Sequence, residues 1–180
     1  MAGKSKIIIP CRLAYVNCWK PVSVFGTPRY SVVAIIKKTD TKTIDMIRKT
    51  LDSIKERSAE KWGGRVPEHC HLPLHDGDAE NVDNPIFQHS YYLNIKCKQA
   101  PQIVDQNVQP ITNEEELYSG CYGKVSVIFY AYNCGGNKGI TALLGNIQKV
   151  KDGPRLDGKM PATEEFLPIT SSECSEVEFL

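Results

Sequence analysis

The 180-residue chain lacks any apolar run near the eighteen or so residues of a membrane-crossing helix, so no membrane span is expected. Its opening apolar stretch, Ile7-Ile8-Ile9 before Pro10, is too short for a secretory leader, and a cytoplasmic location is expected. Also missing are a Walker loop, a dinucleotide glycine fingerprint, GxSxG and HExxH. Gly135-Gly136-Asn137-Lys138-Gly139 is glycine-rich but has the wrong spacing for a phosphate loop and lies between two predicted strands, where it reads as a hairpin turn. No covalent or acid-base centre is visible, so neither an enzyme nor a cofactor is expected. The seven cysteines, Cys11, Cys18, Cys70, Cys97, Cys121, Cys134 and Cys174, are odd in number and contain no CxxC pair. That argues against a disulfide framework and for reduced, mostly buried thiols packing as small apolar residues.

What is present is a split of charge. The net charge is only +1, yet residues 1–65 hold fourteen Lys and Arg against five Asp and Glu, residues 66–118 two against nine, and residues 119–163 six against two. Residues 164–180 hold five acids and no base. Basic ends on the folded part suggest a polyanionic partner. The acidic, serine-rich end is too poor in apolar residues to fold by itself, which predicts a mobile tail over 161–180 after one domain over 1–160. Phe179 and Leu180 give that tail an apolar tip, and Glu176, Glu178 and Phe179 are the residues expected to meet a partner.

Strands are predicted over Arg12–Trp19 and Tyr30–Ile36, broken by Pro21, Gly26 and Pro28. Thr39 or Asp40 can cap a helix running from about Lys42 to Glu60, with Ile44, Ile47, Leu51 and Ile54 as its apolar stripe. After Trp62-Gly63-Gly64, the prolines at 67, 73 and 85 and Gly77 punctuate a long acidic loop in which no regular element is expected. Strand character resumes at Tyr91–Lys98, Gln102–Ile111 resembles a short hairpin, and Cys121–Asn133 and Ile140–Val150 form the last two strands. The count suits a mainly β fold, a five-stranded OB-type barrel with an inserted helix and long loops. One objection stands: the OB helix usually follows the third strand, and this one follows the second.

Alternation along 121–133 puts Val125, Val127, Phe129 and Ala131 on a core row and Tyr122, Lys124, Ser126, Ile128, Tyr130 and Tyr132 on the other. The same reading of 91–98 sends Tyr91, Leu93, Ile95 and Cys97 inward and leaves Tyr92, Asn94, Lys96 and Lys98 outward. Flat rings interleaved with ammonium groups suit single-stranded nucleic acid, whose bases stack and whose phosphates need cations. Such rings equally suit a second core or the interface of a homodimer. Trp62 and Arg65 form a lesser pair, the indole covering a base and the guanidinium a phosphate, with the alternative that Trp62 plugs the helix end against the core. His69, Cys70, His71, His75, Asp76 and Asp78 are metal-binding types crowded in one loop; no known ligand framework has that spacing, so no metal is expected, and a metal-dependent nuclease there is the rival reading.

Five ordered segments carry a resemblance: Lys61-Trp62-Gly63-Gly64-Arg65-Val66-Pro67, Pro73-Leu74-His75-Asp76-Gly77-Asp78, Ala100-Pro101-Gln102-Ile103-Val104-Asp105, Tyr118-Ser119-Gly120-Cys121-Tyr122-Gly123 and Leu144-Gly145-Asn146-Ile147-Gln148-Lys149-Val150. Together they resemble bacteriophage single-stranded-DNA-binding proteins long catalogued as a domain of unknown function. The likeness implies an OB fold, no enzymatic activity, single-stranded DNA as partner, and work beside phage or host replication and recombination proteins in the cytoplasm of an infected bacterium. It also implies partner recruitment by the acidic tail, although Leu180 rather than the aromatic ends the chain. Where that family often has a basic residue before Asp-Gly-Asp, this chain has His75, which would make a phosphate contact there depend on pH.

Overall fold

The computed structural model describes residues 4–23 and 26–156. Its strands are β1 (Lys4–Val22), β2 (Arg29–Lys37), β3 (Leu74–Asp76), β4 (Ser90–Cys97), β5 (Ile103–Val104), β6 (Tyr122–Cys134) and β7 (Asn137–Lys151), with helices α1 (Thr41–Arg57) and α2 (Gly77–Glu80). β1 pairs antiparallel with β2 and β6, β2 with β4, and β6 with β7; a parallel contact of Lys96 with Leu143 joins β4 to β7. The path β1-β2-β4-β7-β6 therefore returns to β1, a closed five-stranded barrel with a parallel pair at its seam.

One long strand serves both sides of the barrel. The first half of β1 pairs with β6 and the second half with β2, and Arg12 is opposite both Tyr122 and Ile35. Register slips after Ala14, and Tyr15 takes a positive φ of 47°, a bulge that bends the strand round the corner. As a result the inward parity changes by one, from Ile9, Cys11 and Leu13 before the bulge to Val16 and Cys18 after it, while Ala14 belongs to a small outer cluster. The β6–β7 hairpin turns through Gly135 and Gly136, both at positive φ, which is the twist that a two-residue connection requires.

The core row of β6 is as the alternation predicts: Val125, Val127, Phe129 and Ala131 are buried. Asp40 caps α1 by accepting a hydrogen bond from the Thr43 amide, and Ile44, Ile47, Leu51 and Ile54 pack into the barrel's main cluster. The helix does lie between the second and third barrel strands, and the objection drawn from its position falls, because strand order and the parallel seam define the barrel. Between the third and fourth barrel strands lie β5 and a single 3-10 turn at Glu114–Glu116. Among the described residues no helix is long and apolar enough to cross a membrane.

The acidic loop is more ordered than its prolines suggest. β3 pairs with β4, His71 bridges Gly139 of β7, and α2 and a 3-10 turn at Pro85–Phe87 follow. Segment 71–76 thus touches both β4 and β7 at one end of the barrel. Gly77 permits the tight return, since a β-carbon there would meet Phe87 at 2.7 Å and the Ser90 carbonyl at 2.8 Å. The acidic tail over 161–180, with Glu176, Glu178 and Phe179, lies outside the described residues.

Candidate nucleic-acid interface

A cleft of about 850 Å³ crosses the outer face of β4, β7 and β6. Tyr130 and Tyr132 come from β6, Asn94 and Lys96 from β4, Arg29 from the start of β2, and His71 and His75 from the segment that touches β4 and β7. Leu143, from the outward row of β7, supplies apolar floor with Leu72 and Pro73, and the ends of the hairpin add Cys134 and Asn137. Among the described residues no Asp or Glu is in that lining. The carboxylate nearest in function is Glu80, whose Oε2 is 2.8 Å from His75 Nδ1, with the histidine ring stacked 5.1 Å from Tyr92. Rings, cations and apolar floor can together hold a flat base and its phosphate.

Of the residues expected at the interface, the fold gathers Tyr130, Tyr132 and Lys96 in this cleft. Arg65 is exposed and lines an adjoining recess of about 680 Å³ that shares His71 and Asn137 with it. Lys98 is exposed beyond the end of β4, outside the cleft lining. Tyr122 and Lys124 are on the same face of β6 as the other tyrosines but border a different groove.

Two expectations are corrected. Tyr92 is only 6% exposed: the α2 segment folds over the outer face of β4, Phe87 meets its ring at a centroid distance of 4.4 Å, and Asn81 Nδ2 donates to its hydroxyl at 2.6 Å. Alternation placed it correctly outside the barrel, but outside is not exposed when a later segment covers the strand. Trp62 is 2% exposed, and its indole N–H donates to the Tyr132 carbonyl at 2.9 Å. It is the plug at the end of α1, the alternative that the sequence left open.

Sequence reasoning missed Arg29 and His71 as cleft residues. The signal for Arg29 was faint, a cation directly after Pro28 in a glycine-containing loop; for His71 it was absorbed in the metal-type cluster. That cluster does not converge: among the described residues no group of three metal-binding side chains forms. Asp76 and Asp78 instead share Lys38, whose Nζ is 2.8 Å from each, while the His89 amide donates to Asp78 at 2.9 Å. The Lys38 hydrogen bonds hold both carboxyls below their ordinary range. A depressed folded pKa makes this clasp stabilising at neutral pH, and its contribution is lost as pH falls through those values, beginning below about pH 4. Near-UV circular dichroism of the tyrosines is therefore expected to show the cover over Tyr92 loosening in acid, and Lys38→Met is expected to remove that step.

The thiols also behave as expected. Among the described cysteines all are free, Cys11, Cys18, Cys97 and Cys121 are buried, and burial pushes the Cys11 and Cys18 thiols up to about 12. Cys134, at the lip of the cleft, is exposed.

A closed barrel with a parallel seam and a ring- and cation-lined outer cleft defines an OB-fold protein with a surface suited to an anionic, flat-ringed ligand. The chain belongs to the family of the Enterobacter phage Enc34 ssDNA-binding protein, whose family model matches residues 5–178. It is 32% identical over 179 residues to protein p50 of Acyrthosiphon pisum secondary endosymbiont phage 1, covering 92% of this chain and 94% of p50. In fold it is similar to the single-stranded DNA-binding protein of bacteriophage Enc34 in complex with ssDNA, at a TM-score of 0.71 and 22% identity over 86% of this chain and 89% of that one. It is also similar to gp2.5, a single-stranded DNA binding protein of bacteriophage T7, at a TM-score of 0.57 and 17% identity over 97% and 96% of the two chains. The family resemblance and the OB fold expected from sequence are thereby shown.

Proposed function

We propose that this protein binds single-stranded DNA without regard to sequence, protecting and organising it during phage replication and recombination. The observation that carries the reading is the cleft itself, which brings Tyr130, Tyr132, Lys96 and Arg29 together with no carboxylate among the described residues that line it. Membership of a phage family named for ssDNA binding supports it. Tyr130 and Tyr132 stack on bases, Lys96 and Arg29 pair with phosphates, and no bond is made or broken. Arg65 extends the cationic border through the adjoining recess.

The acidic segment over 161–180 recruits replication and recombination proteins through Glu176, Glu178 and Phe179, and competes with DNA for the cleft. Supporting this are its charge, opposite to that of the cleft, and its apolar tip. Deletion of 164–180 is expected to tighten DNA binding, and unchanged affinity would remove the competition.

The primary test is a titration of single-stranded DNA, duplex DNA and RNA at two salt concentrations, read by tyrosine fluorescence. Single-stranded DNA is expected to bind tightest and to quench the signal. With two to four phosphates neutralised, the logarithm of affinity falls by about 1.4 to 2.8 per tenfold rise in salt. Salt-insensitive binding, or a preference for duplex, overturns the reading.

A further inference from the structure

The cleft occupies only one end of the outward row of β6. Ten residues separate Tyr132 from Tyr122, about 33 Å along an extended strand. At that far end Tyr122 and Lys124 border a second groove of about 710 Å³, walled by Pro10, Ile35 and Ile86 and edged by Arg12 and Lys37. Its one carboxylate among the described residues, Asp40, is engaged in capping α1, accepting from the Thr43 amide at 3.3 Å.

The cations here are held in place. Lys151 Nζ is 4.9 Å and the Arg12 guanidinium 5.4 Å from the centre of the Tyr122 ring, and Arg12 also donates to the Gly120 carbonyl at 3.2 Å and the Pro154 carbonyl at 2.7 Å. Beside them the Arg155 guanidinium is 4.3 Å from the centre of the Tyr118 ring, with Lys149 5.7 Å from the same ring and paired to Asp152 at 2.7 Å. An exposed cation on a ring contributes only about 0.5–1 kcal/mol. That is a weak structural reason to crowd like charges, which repel one another, at one end of a hairpin.

The two sites are connected by register. Along β1, Lys4 is opposite Tyr130, Lys6 opposite Ile128, Ile8 opposite Ser126, Pro10 opposite Lys124 and Arg12 opposite Tyr122. Lys4 and Lys6 are exposed and Ile8 is 60% exposed, so this face is bare between cleft and groove. A ligand with a charge on every repeat meets cations at both ends of this path, Lys4 and Lys6 beside the cleft and Lys124 and Arg12 at the groove. An acidic peptide confined to the groove would leave Lys4 and Lys6 without a role.

We infer that single-stranded DNA leaving the cleft continues along the outer face of β1 and β6 into the second groove, where Arg12, Lys37, Lys124 and Lys151 take phosphates and Pro10, Ile35 and Ile86 receive a base or sugar. The inference rests on the cleft being the primary DNA site. Both groups of cations then read one strand, and the length of DNA covered is set by the β6–β7 hairpin.

The test compares oligonucleotides of about six and about twenty-five nucleotides on the wild type and on the K124Q/K151Q double variant, the shorter being near the low end of what one OB fold covers. Both lysines are exposed, so the variant is expected to fold, which its thermal melt checks. Losing two phosphate contacts lowers the salt slope on the long oligonucleotide by about 1.4 and the long-to-short affinity ratio by about tenfold. A variant that keeps the wild-type ratio and slope, while the wild type binds the short oligonucleotide, overturns the inference and leaves the cleft standing. If the wild type fails to bind the short oligonucleotide, the cleft reading falls and this one with it. A synthetic peptide of residues 164–180 that binds the wild type and not the variant, with the DNA ratio unmoved, assigns the groove to an acidic peptide and also overturns it.

Discussion

Replacing both Tyr130 and Tyr132 by alanine is expected to weaken single-stranded DNA binding by about 1.5 to 4 orders of magnitude and to leave the fold intact. Each stacked base contributes about 1–3 kcal/mol, so two rings together account for about 2–6 kcal/mol if both stack. Both side chains project from the outward row of β6 and are partly buried, whereas the neighbouring inward residues, Phe129 and Ala131, are fully buried in the core. The substitution leaves the backbone carbonyl of Tyr132 that receives Trp62 in place. The salt slope separates stacking from charge: because no cation is removed, it should stay near the wild-type value while affinity drops at every salt concentration. Cys134 offers an independent readout, since its exposed thiol is at the lip of the same cleft. Single-stranded DNA should protect it from alkylation in the wild type and not in the double variant at the same DNA concentration. Equal affinity in the two proteins would mean that the rings do not meet bases.

The barrel was legible because its signals are local. Strict alternation in 121–133 placed four core residues on β6, and the stripe from Ile44 to Ile54 placed α1. Tyr92 shows where local signals stop. Its parity was read correctly, but its burial depends on Phe87 and Asn81, which reach it through a loop whose prolines and glycines hide any periodicity. The same loop concealed His71, whose place in the cleft depends on a single bridge to Gly139. Arg29 and Lys96 are neighbours in the cleft only because β2 pairs with β4, where Tyr30 is opposite Cys97 and Ser31 opposite Lys96. Register of that kind follows from barrel closure, which no single strand encodes.

Trp62→Ala is expected to cost about 3–5 kcal/mol of stability, the range for truncating a large buried aromatic. Against a total of about 5–15 kcal/mol for an ordinary domain, that is a large share, and it corresponds to a fall in melting temperature of roughly 10 °C. The indole belongs to the main core cluster, and its environment is held by crossed bonds: its N–H donates to the Tyr132 carbonyl, Lys138 Nζ donates to the Trp62 carbonyl at 3.2 Å, and Asn133 donates to the Lys61 carbonyl at 3.1 Å. These tie the end of α1 to the β6–β7 hairpin beside the cleft. Trp62→Phe keeps most of the apolar burial and loses the indole donor, leaving the Tyr132 carbonyl short of a partner, and should cost about 1–3 kcal/mol. DNA affinity measured well below the melting temperature should fall far less for either variant than for the tyrosine pair, because the indole reaches DNA only through the strand it supports. A Trp62→Ala protein that melts like the wild type yet no longer binds single-stranded DNA would show the opposite, an indole that is free to stack on bases and not a plug.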